Sequence, residues 1–146
     1  MAIEIVKLQP KIKESVVDFF SKIDNEKFHP HDFSEKVALD LCDYDGEDCY
    51  YVVIDNNIVL AYGILRGWDA GHDIPSLGIY VGSNCRGLGM GKMLMNFLHC
   101  AAKAKGAKKV RLKVYKNNIV AIHLYKKIGY VIEDYDDEQL LGIFNL

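Results

Sequence analysis

The residues of this chain whose types and spacing are best suited to chemistry lie in one short run. In order they are Arg86, Gly87, Leu88, Gly89, Met90, Gly91 and Lys92. An apolar segment typical of a β-strand, residues 77–81, precedes the run, and a segment with helical periodicity, Met90–Ala104, begins within it. The first N–H groups of a helix have no partner in the helix, and the helix dipole favours negative charge there. Since glycine lets a ligand approach the backbone, we expect a phosphate group to bind at this run.

The spacing of the glycines excludes two common nucleotide-binding loops. A loop for nucleoside triphosphates needs a glycine five positions before a Gly-Lys pair and a Ser or Thr after it. Here that position is Arg86, and the residue after Lys92 is methionine. The dinucleotide pattern G-x-G-x-x-G would need glycine at Lys92 or at Leu94. What is left is the pattern Arg-x-x-Gly-x-Gly, formed by Arg86, Gly89 and Gly91.

A second segment, residues 118–130, has the sequence NIVAIHLYKKIGY and predicts a short helix. Asn117 or Asn118 is suited to cap the start of this helix, and Gly129 is suited to end it. Three apolar residues have the spacing of its buried side: Ile119, Ile122 and Ile128.

Both segments resemble motifs of the GCN5-related N-acetyltransferase (GNAT) family. The pattern of Arg86, Gly89 and Gly91, after a strand and opening a helix, is similar to the family's pyrophosphate-binding motif. Residues 118–130 are similar to its C-terminal motif, in which Asn is followed by Ala-Ile, Leu-Tyr, a basic residue, Gly and an aromatic residue. The resemblance covers residues 74–130, with the two motifs in the family's order.

The periodicity of the whole chain predicts elements in the order β-α-α-β-β-β-α-β-α-β-β, which is the order of the GNAT fold. The resemblance therefore implies the acyl-CoA N-acyltransferase fold, an α/β structure with a mixed sheet and helices on both faces. Because 146 residues suit one domain, we expect residues 1–146 to form a single N-acetyltransferase domain. Asp32 and Glu35 predict a capping box for the second helix, and residues 55–57 predict a hairpin turn.

The resemblance implies that acetyl-CoA is the co-substrate and that its acetyl group passes directly to a primary amine. The glycine-rich run would hold the pyrophosphate of the cofactor. The other residues assigned to the cofactor are the main chain of Ile79, Tyr80 and Val81, which would pair with the pantetheine arm, together with Asn118 and Tyr125. For Asn118, helix capping is an equally suitable role, and the two roles are compatible.

Two catalytic residues are expected. Tyr125 occupies the position of the family's general acid, where a phenol protonates the departing thiolate; the alternative is a core aromatic residue. Some family members have a glutamate base at the position of Lys113, so this chain needs another base. His72 and Asp73, just before the strand that leads to the glycine-rich run, are the nearest candidates, and the pKa of histidine near neutrality favours His72.

Two loops are expected to bind the acceptor. Their candidate residues are His29, His31, Arg66, Trp68 and Asp73. Arginine pairs with phosphate or carboxylate, and tryptophan stacks on rings, so these types favour a small anionic acceptor such as an amino-sugar nucleotide. A protein N-terminus or lysine is the alternative acceptor, and simple loop packing is the alternative role. No metal is expected, because the His-x-His pair has no further ligands at suitable spacing.

Composition limits the partners. The net charge of −2 argues against nucleic acid as the main ligand. No segment is long and apolar enough to span a membrane, and no secretory signal is recognisable, so we expect a cytoplasmic protein. A homodimer through pairing of the last strand is possible. From another functional class, the chain would be a CoA-binding module without catalysis.

Overall fold

The structure of the protein, a computed structural model, describes residues 2–23 and 31–146. It confirms the expected mixed α/β class and the expected order of elements. The strands are β1 (Ile3–Lys7), β2 (Cys49–Asp55), β3 (Ile58–Arg66), β4 (Ser76–Val81), β5 (Lys109–Tyr115), β6 (Val131–Asp134) and β7 (Gln139–Asn145). The helices are α1 (Lys13–Ser21), α2 (Glu35–Cys42), α3 (Met90–Ala104) and α4 (Ile119–Ile128). Short 3₁₀ turns at Pro10–Ile12 and Ser83–Cys85 precede α1 and follow β4.

The strands form one sheet in the order β1-β2-β3-β4-β5-β7-β6. Neighbouring strands are antiparallel except β4 and β5, which are parallel and paired at a single position, Ser76 opposite Arg111. The backbone N–H of Arg111 also donates to the carbonyl of Pro75 over 3.0 Å. Beyond this point the two strands separate, so the edge of β4 that faces β5 is left without a strand partner.

Helices cover both faces of the sheet, and each face has its own hydrophobic core. α1 and α2 cover one face, where Phe20 and Tyr62 are fully buried. α3 and α4 lie on the other face, where Leu94 and Leu98 of α3 are fully buried. The approach of α3 to β3 is close, because a Cβ at Gly63 would lie 2.9 Å from Cδ1 of Leu98.

Two local predictions are confirmed, a hairpin turn and the caps of α4. Asn56 and Asn57 have φ angles of 49° and 68° and connect β2 to β3 as a hairpin. Asparagine tolerates this left-handed conformation better than most residues. In α4, the side-chain oxygen of Asn118 accepts the N–H of Ala121 over 3.3 Å, and Gly129 at φ 124° ends the helix.

Two local predictions are wrong. Ser34, not Asp32, caps α2, and its hydroxyl accepts the N–H of Val37 over 3.2 Å. Asp32 instead accepts the N–H of Ser34, because the chain is still extended there. Ile119 does not belong to the buried side of α4: it is 56 % exposed, since it lies in the first turn at the outer end of the helix.

The position of β7 corrects the expected route to a dimer. β7 lies between β5 and β6 and is paired on both sides, so it has no free edge for another chain. The outer strands of the sheet are β1 and β6. Sequence order did not reveal this, because the chain passes through the outer position, β6, before it returns to β5.

Candidate active site

The glycine-rich loop at the start of α3 has the geometry of an anion site. Gly87 and Gly89 both have a φ of 80°, a conformation that costs energy for residues with a Cβ. Gly89 is the N-cap of α3 and makes no side-chain capping bond, so the first N–H groups of the helix remain available to a ligand. A Cβ at either glycine would meet no atom within 4 Å, so the loop has open space around it.

The other residues of the loop point in different directions. The side chain of Arg86 folds back on β4, where Nε donates to the carbonyl of Val81 over 3.3 Å. Met90 is buried and anchors the start of α3 in the core. Leu88 is 70 % exposed, and Lys92 is exposed in the first turn of α3. The loop therefore presents backbone N–H groups and a helix-borne cation to solvent.

Where β4 and β5 separate, a cleft of about 850 Å³ opens in the sheet. On the β4 side its lining includes Ser76, Leu77, Gly78 and Ile79. On the side of β5 and α4 it includes Lys113, Val114, Tyr115, Asn118 and Tyr125. At the end near β2 and β3 it includes Tyr44, Asp48, Tyr50, Arg66 and Asp69.

The three β4 residues expected to pair with the pantetheine arm differ in their surroundings. Ile79 lines the cleft. Tyr80 packs edge-on against Phe19, and the guanidinium of Arg86 lies 5.6 Å from the centre of its ring. The side chain of Val81 packs against the core under α3. The uncovered edge of β4 runs through all three residues, and this edge is a backbone feature that does not depend on their side chains.

Tyr125 and Asn118 lie on the same wall of the cleft. Burial raises the pKa of Tyr125 to about 12, so its phenol keeps its proton at neutral pH. The ring of Tyr130 lies beside it, with 5.8 Å between the ring centres. Asn118 lines the cleft and caps α4 at the same time, so the geometry is compatible with both roles considered for it.

Two loops are tied together at the end of the cleft near β2 and β3. Asp48 precedes β2, and its Oδ1 accepts the backbone N–H groups of Gly67, Trp68 and Asp69 over 3.0, 2.9 and 3.3 Å. In return, Asp69 accepts the hydroxyl of Tyr44 at Oδ2 and the N–H of residue 47 at Oδ1. The Tyr44 hydroxyl lowers the pKa of Asp69, whereas burial, with Asp69 as a further cause, raises the pKa of Tyr44.

Two cationic side chains face this region from different strands. Arg66, at the end of β3, lines the cleft beside the buried Tyr50. Burial raises the pKa of Tyr50, and the charge of Arg66 opposes that rise. Lys113 lines the cleft from β5, and its Nζ lies 4.1 Å from the centre of the Tyr135 ring.

Four described residues predicted for catalysis or acceptor binding do not line the cleft: His31, Trp68, His72 and Asp73. His72 and Asp73 are exposed in the loop between β3 and β4. Trp68 packs against the core, and Nζ of Lys105 lies 4.8 Å from the centre of its ring. The backbone of Trp68 contacts a residue of the cleft lining: its N–H donates to Asp48.

His31 lies in an aromatic cluster on the α1 side of the sheet, and His29 lies outside the described residues. Nδ1 of His31 is 2.6 Å from the carbonyl of Asp32, and Nε2 is 2.7 Å from the hydroxyl of Tyr62. Because a carbonyl only accepts, Nδ1 donates, and Nε2 of the neutral ring accepts from Tyr62. Burial among rings such as Phe20 lowers the pKa of His31, which favours this neutral form.

Sequence reasoning missed Tyr44, Asp48, Tyr50 and Asp69. Three of them belong to residues 44–50, YDGEDCY, an acidic stretch that resembles an ordinary solvated loop. The burial of Asp48 depends on backbone donors that come from the loop after β3, which no local spacing reveals. The one sequence signal for Asp48 was that a carboxylate stands directly before the apolar β2 segment.

Residues 2–23 and 31–146 contain neither a metal-binding cluster nor a membrane-spanning helix. No group of three or more His, Cys, Asp or Glu side chains is arranged there to hold a metal ion. The longest helix in this part of the chain, α3, has 15 residues, and no helix combines the length and hydropathy needed to traverse a bilayer.

Comparison with protein families gives one match that covers most of the chain. The sequence model of the acetyltransferase (GNAT) family matches residues 12–130. The match includes both the glycine-rich loop and the C-terminal motif. No curated protein matches the chain by sequence.

Solved structures with the same fold are numerous but distant in sequence. PaiA N-acetyltransferase from Thermoplasma acidophilum, in complex with coenzyme A, is 18 % identical with a TM-score of 0.81, and the alignment covers 100 % of both chains. The GNAT domain of S. lividans PAT is 16 % identical with a TM-score of 0.84, covering 99 % of this chain and 90 % of that one. The ribosomal-protein-S18-alanine N-acetyltransferase from Escherichia coli is 17 % identical with a TM-score of 0.75, covering 99 % and 94 %.

Proposed function

The chain belongs to the acetyltransferase (GNAT) family, and we propose that it transfers acetyl from acetyl-CoA directly to the primary amine of a small anionic molecule. Enzymes of this family are acyltransferases that use acetyl-CoA, so the reaction class follows from membership. The acceptor is the new part of the proposal. The observation that supports it is that Tyr125 and Arg66 line the same cleft.

The residues of the chain fit acetyl-CoA. The glycine-rich loop offers unpaired N–H groups at the start of α3, which suit the pyrophosphate. The uncovered edge of β4 offers backbone groups to the pantetheine arm, and Gly78 leaves room along it. When bound, acetyl-CoA supplies the acetyl group and the thiolate that leaves.

Tyr125 acts as the general acid. It lines the cleft, and its raised pKa of about 12 keeps the phenolic proton in place until the departing thiolate forms beside it. Asn118 holds the start of α4 through its capping bond and thereby fixes the helix that carries Tyr125. A backbone N–H of β4 is suited to stabilise the developing oxyanion.

The acceptor carries an anion that pairs with Arg66. Arg66 and Lys113 give the cleft two cations on opposite sides, which favours a phosphate or carboxylate on the acceptor. Lys113 stands where some family members have a glutamate, so the charge of this wall is inverted relative to those enzymes. Amino-sugar phosphates and nucleotides are acceptors of this kind.

The test compares matched amines that differ only in charge. Glucosamine 6-phosphate and glucosamine form one pair, and phosphoethanolamine and ethanolamine form another. We expect a higher kcat/KM for the phosphorylated member of each pair. Arg66→Gln should lower kcat/KM for that member by about 10- to 100-fold, as expected for a hydrogen bond to a charged group, and should leave the neutral member unaffected.

Lys103→Gln, an exposed cation on α3, is the matched control and should leave both members unaffected. A peptide with a free N-terminus is included in the panel because the E. coli structure is named for an alanine of a ribosomal protein. A clear preference for this peptide over every small amine would overturn the proposed acceptor class and leave the acetyltransferase assignment intact.

A further inference from the structure

Two carboxylates line the cleft within the described residues, Asp48 and Asp69, and they differ in what they have left to offer. Asp69 uses both oxygens, one for the hydroxyl of Tyr44 and one for a backbone N–H. Asp48 uses Oδ1 for three backbone N–H groups. Among the residues that the structure describes, none donates to Oδ2 of Asp48. Only Asp48 therefore has an oxygen free for the acceptor.

Asp48 is also a buried charge without a described counter-ion. Only 9 % of the residue is exposed. Each ion pair found within the described residues joins other partners: Lys22 to Asp18, Lys36 to Asp40, Lys105 to Glu47, and Lys116 to Asp134. Burying a carboxylate is costly unless hydrogen bonds or a cation compensate, and here the three bonds to Oδ1 supply that compensation and leave Oδ2 available.

The position of Asp48 suits the reacting end of an acceptor. Tyr50 lies opposite Ile64 in the sheet, and Ile64 lies opposite Gly78 of β4, so β2 approaches the wall where the cofactor is expected. Asp48 is two residues before Tyr50 and is held rigidly by the loop that follows β3. A primary amine bound to Asp48 would lie in the same cleft as the phenol of Tyr125.

We propose that Asp48 binds the ammonium group of the acceptor through Oδ2 and takes one of its protons before the amine attacks the thioester. This inference rests on the proposed function. The nitrogen lone pair forms the C–N bond, and the C–S bond breaks with its electron pair on sulfur. Of the two protons that nitrogen loses overall, one goes to Asp48 and on to solvent. The other replaces the proton that Tyr125 gives to sulfur.

This assignment differs from the sequence-based expectation of His72 as the base. His72 is exposed and does not line the cleft, whereas Asp48 meets two requirements of a base for a bound amine. It lies in the cleft, and it carries the charge that attracts an ammonium group.

The experiment compares Asp48→Asn with Glu47→Gln. The amide oxygen of asparagine is able to accept the same three N–H groups, so the loop should stay folded while the charge is removed. Glu47 is the adjacent carboxylate, exposed and paired with Lys105, and its variant loses the same charge without touching the cleft. The substrates are acetyl-CoA and the best amine of the matched pairs above, and kcat/KM is measured from pH 6 to pH 9.

We expect Asp48→Asn to lower kcat/KM for the amine about 100-fold near neutral pH, the size of a lost general base, with acetyl-CoA binding unchanged. Activity of this variant should recover as pH rises, because more of the free amine then arrives without its extra proton. Glu47→Gln should match the wild type. Asp48→Glu, which keeps the charge, should retain more activity than Asp48→Asn.

Four results would count against the inference. Equal activity of the Asp48→Asn and Glu47→Gln variants would remove Asp48 from the reaction, and so would a loss that is the same at every pH. An Asp48→Glu variant no more active than Asp48→Asn would show that the loop, not the charge, is what matters. A wild-type protein that binds acetyl-CoA but acetylates none of the amines would overturn the proposed acceptor class, and the inference with it.

Discussion

At the scale of single residues, we expect turnover to depend most directly on the phenol of Tyr125. It lines the cleft, and burial holds its pKa at about 12. We expect Tyr125→Phe to lower kcat by about 10² to 10⁴, the usual contribution of positioned acid catalysis, while the affinity for acetyl-CoA stays unchanged. Steady-state kinetics with a thiol-detecting reagent, together with calorimetric binding of CoA, measures both quantities.

Tyr51→Phe is the matched control for this substitution. Tyr51 lies on β2 and packs against Phe97 of α3, outside the cleft lining. Its variant should keep full activity. If Tyr125→Phe is as active as Tyr51→Phe, another group protonates the sulfur. If the wild type binds CoA but turns over no acceptor, a CoA-binding module without catalysis becomes the better description.

Residue positions were predictable where a motif fixes them and not where two loops meet. Arg86, Gly89, Asn118 and Tyr125 follow from local patterns: the first two belong to the loop that opens α3, and the last two line the cleft. His72 and Trp68 were chosen because of their chemical type, yet one is exposed and the other packs on the core. No sequence pattern predicts the direction of a side chain in a loop.

At the scale of elements, the start of α3 depends on left-handed glycine. Gly89 has a φ of 80° with no atom near a Cβ position, so Gly89→Ala introduces backbone strain without a clash. We expect it to lower the free energy of unfolding by about 1–2 kcal/mol and to weaken acetyl-CoA binding as well. Urea unfolding and isothermal calorimetry measure the two effects.

Gly106→Ala separates strain from ligand binding. Gly106 has a φ of 91° and equally open surroundings, but it lies just after the other end of α3. Its variant should lose similar stability and keep the wild-type affinity for acetyl-CoA. Equal losses of affinity in both variants would mean that the loop binds no part of the cofactor.

The order of elements was predictable from periodicity, but their ends and their neighbours in space were less so. The cap of α2 is Ser34 rather than the expected Asp32, because Asp32 accepts the N–H of Ser34 and the helix begins after Ser34. The position of β7 between β5 and β6 was not predictable, because hydrophobic alternation indicates a strand but not the strands that pair with it. The same limit hid the contact of Asp48 with the loop after β3.

For the molecule as a whole, we expect the buried His99, together with His31, to limit stability in acid. His99 of α3 lies with Nε2 2.6 Å from the hydroxyl of Tyr130 and stacks on Phe144, and burial lowers its pKa. Below the usual histidine pKa of about 6.5, the unfolded chain binds a proton that the folded chain does not. The contribution of neutral His99 to the free energy of unfolding should therefore be fully present above about pH 6.5 and should be lost as the pH drops below it. His31 contributes in the same direction.

The check is the slope of the unfolding free energy against pH between 8 and 5. His99→Phe should flatten this slope below pH 6.5, by up to about 1.4 kcal/mol per pH unit, although it also costs stability at every pH by leaving the Tyr130 hydroxyl unpaired. His123→Gln, at an exposed position on α4, should leave the slope as in the wild type. A slope unchanged in His99→Phe would assign the acid limit to other groups.

The single pair that joins β4 to β5 divides the sheet into two parts, and we expect the first part to form earlier. Strands β1 to β4 pair only with one another apart from that single position, so they are able to form a sheet before the rest of the chain has been synthesised. Strand β5 has to wait for β7, because its other neighbour is attached through only one position. Asp48 and Arg66 belong to the early part, and Lys113 and Tyr125 to the late one. We therefore expect a nascent chain to form the part of the cleft with Asp48 and Arg66 first, and to complete the wall with Lys113 and Tyr125 only when β7 pairs with β5 and β6.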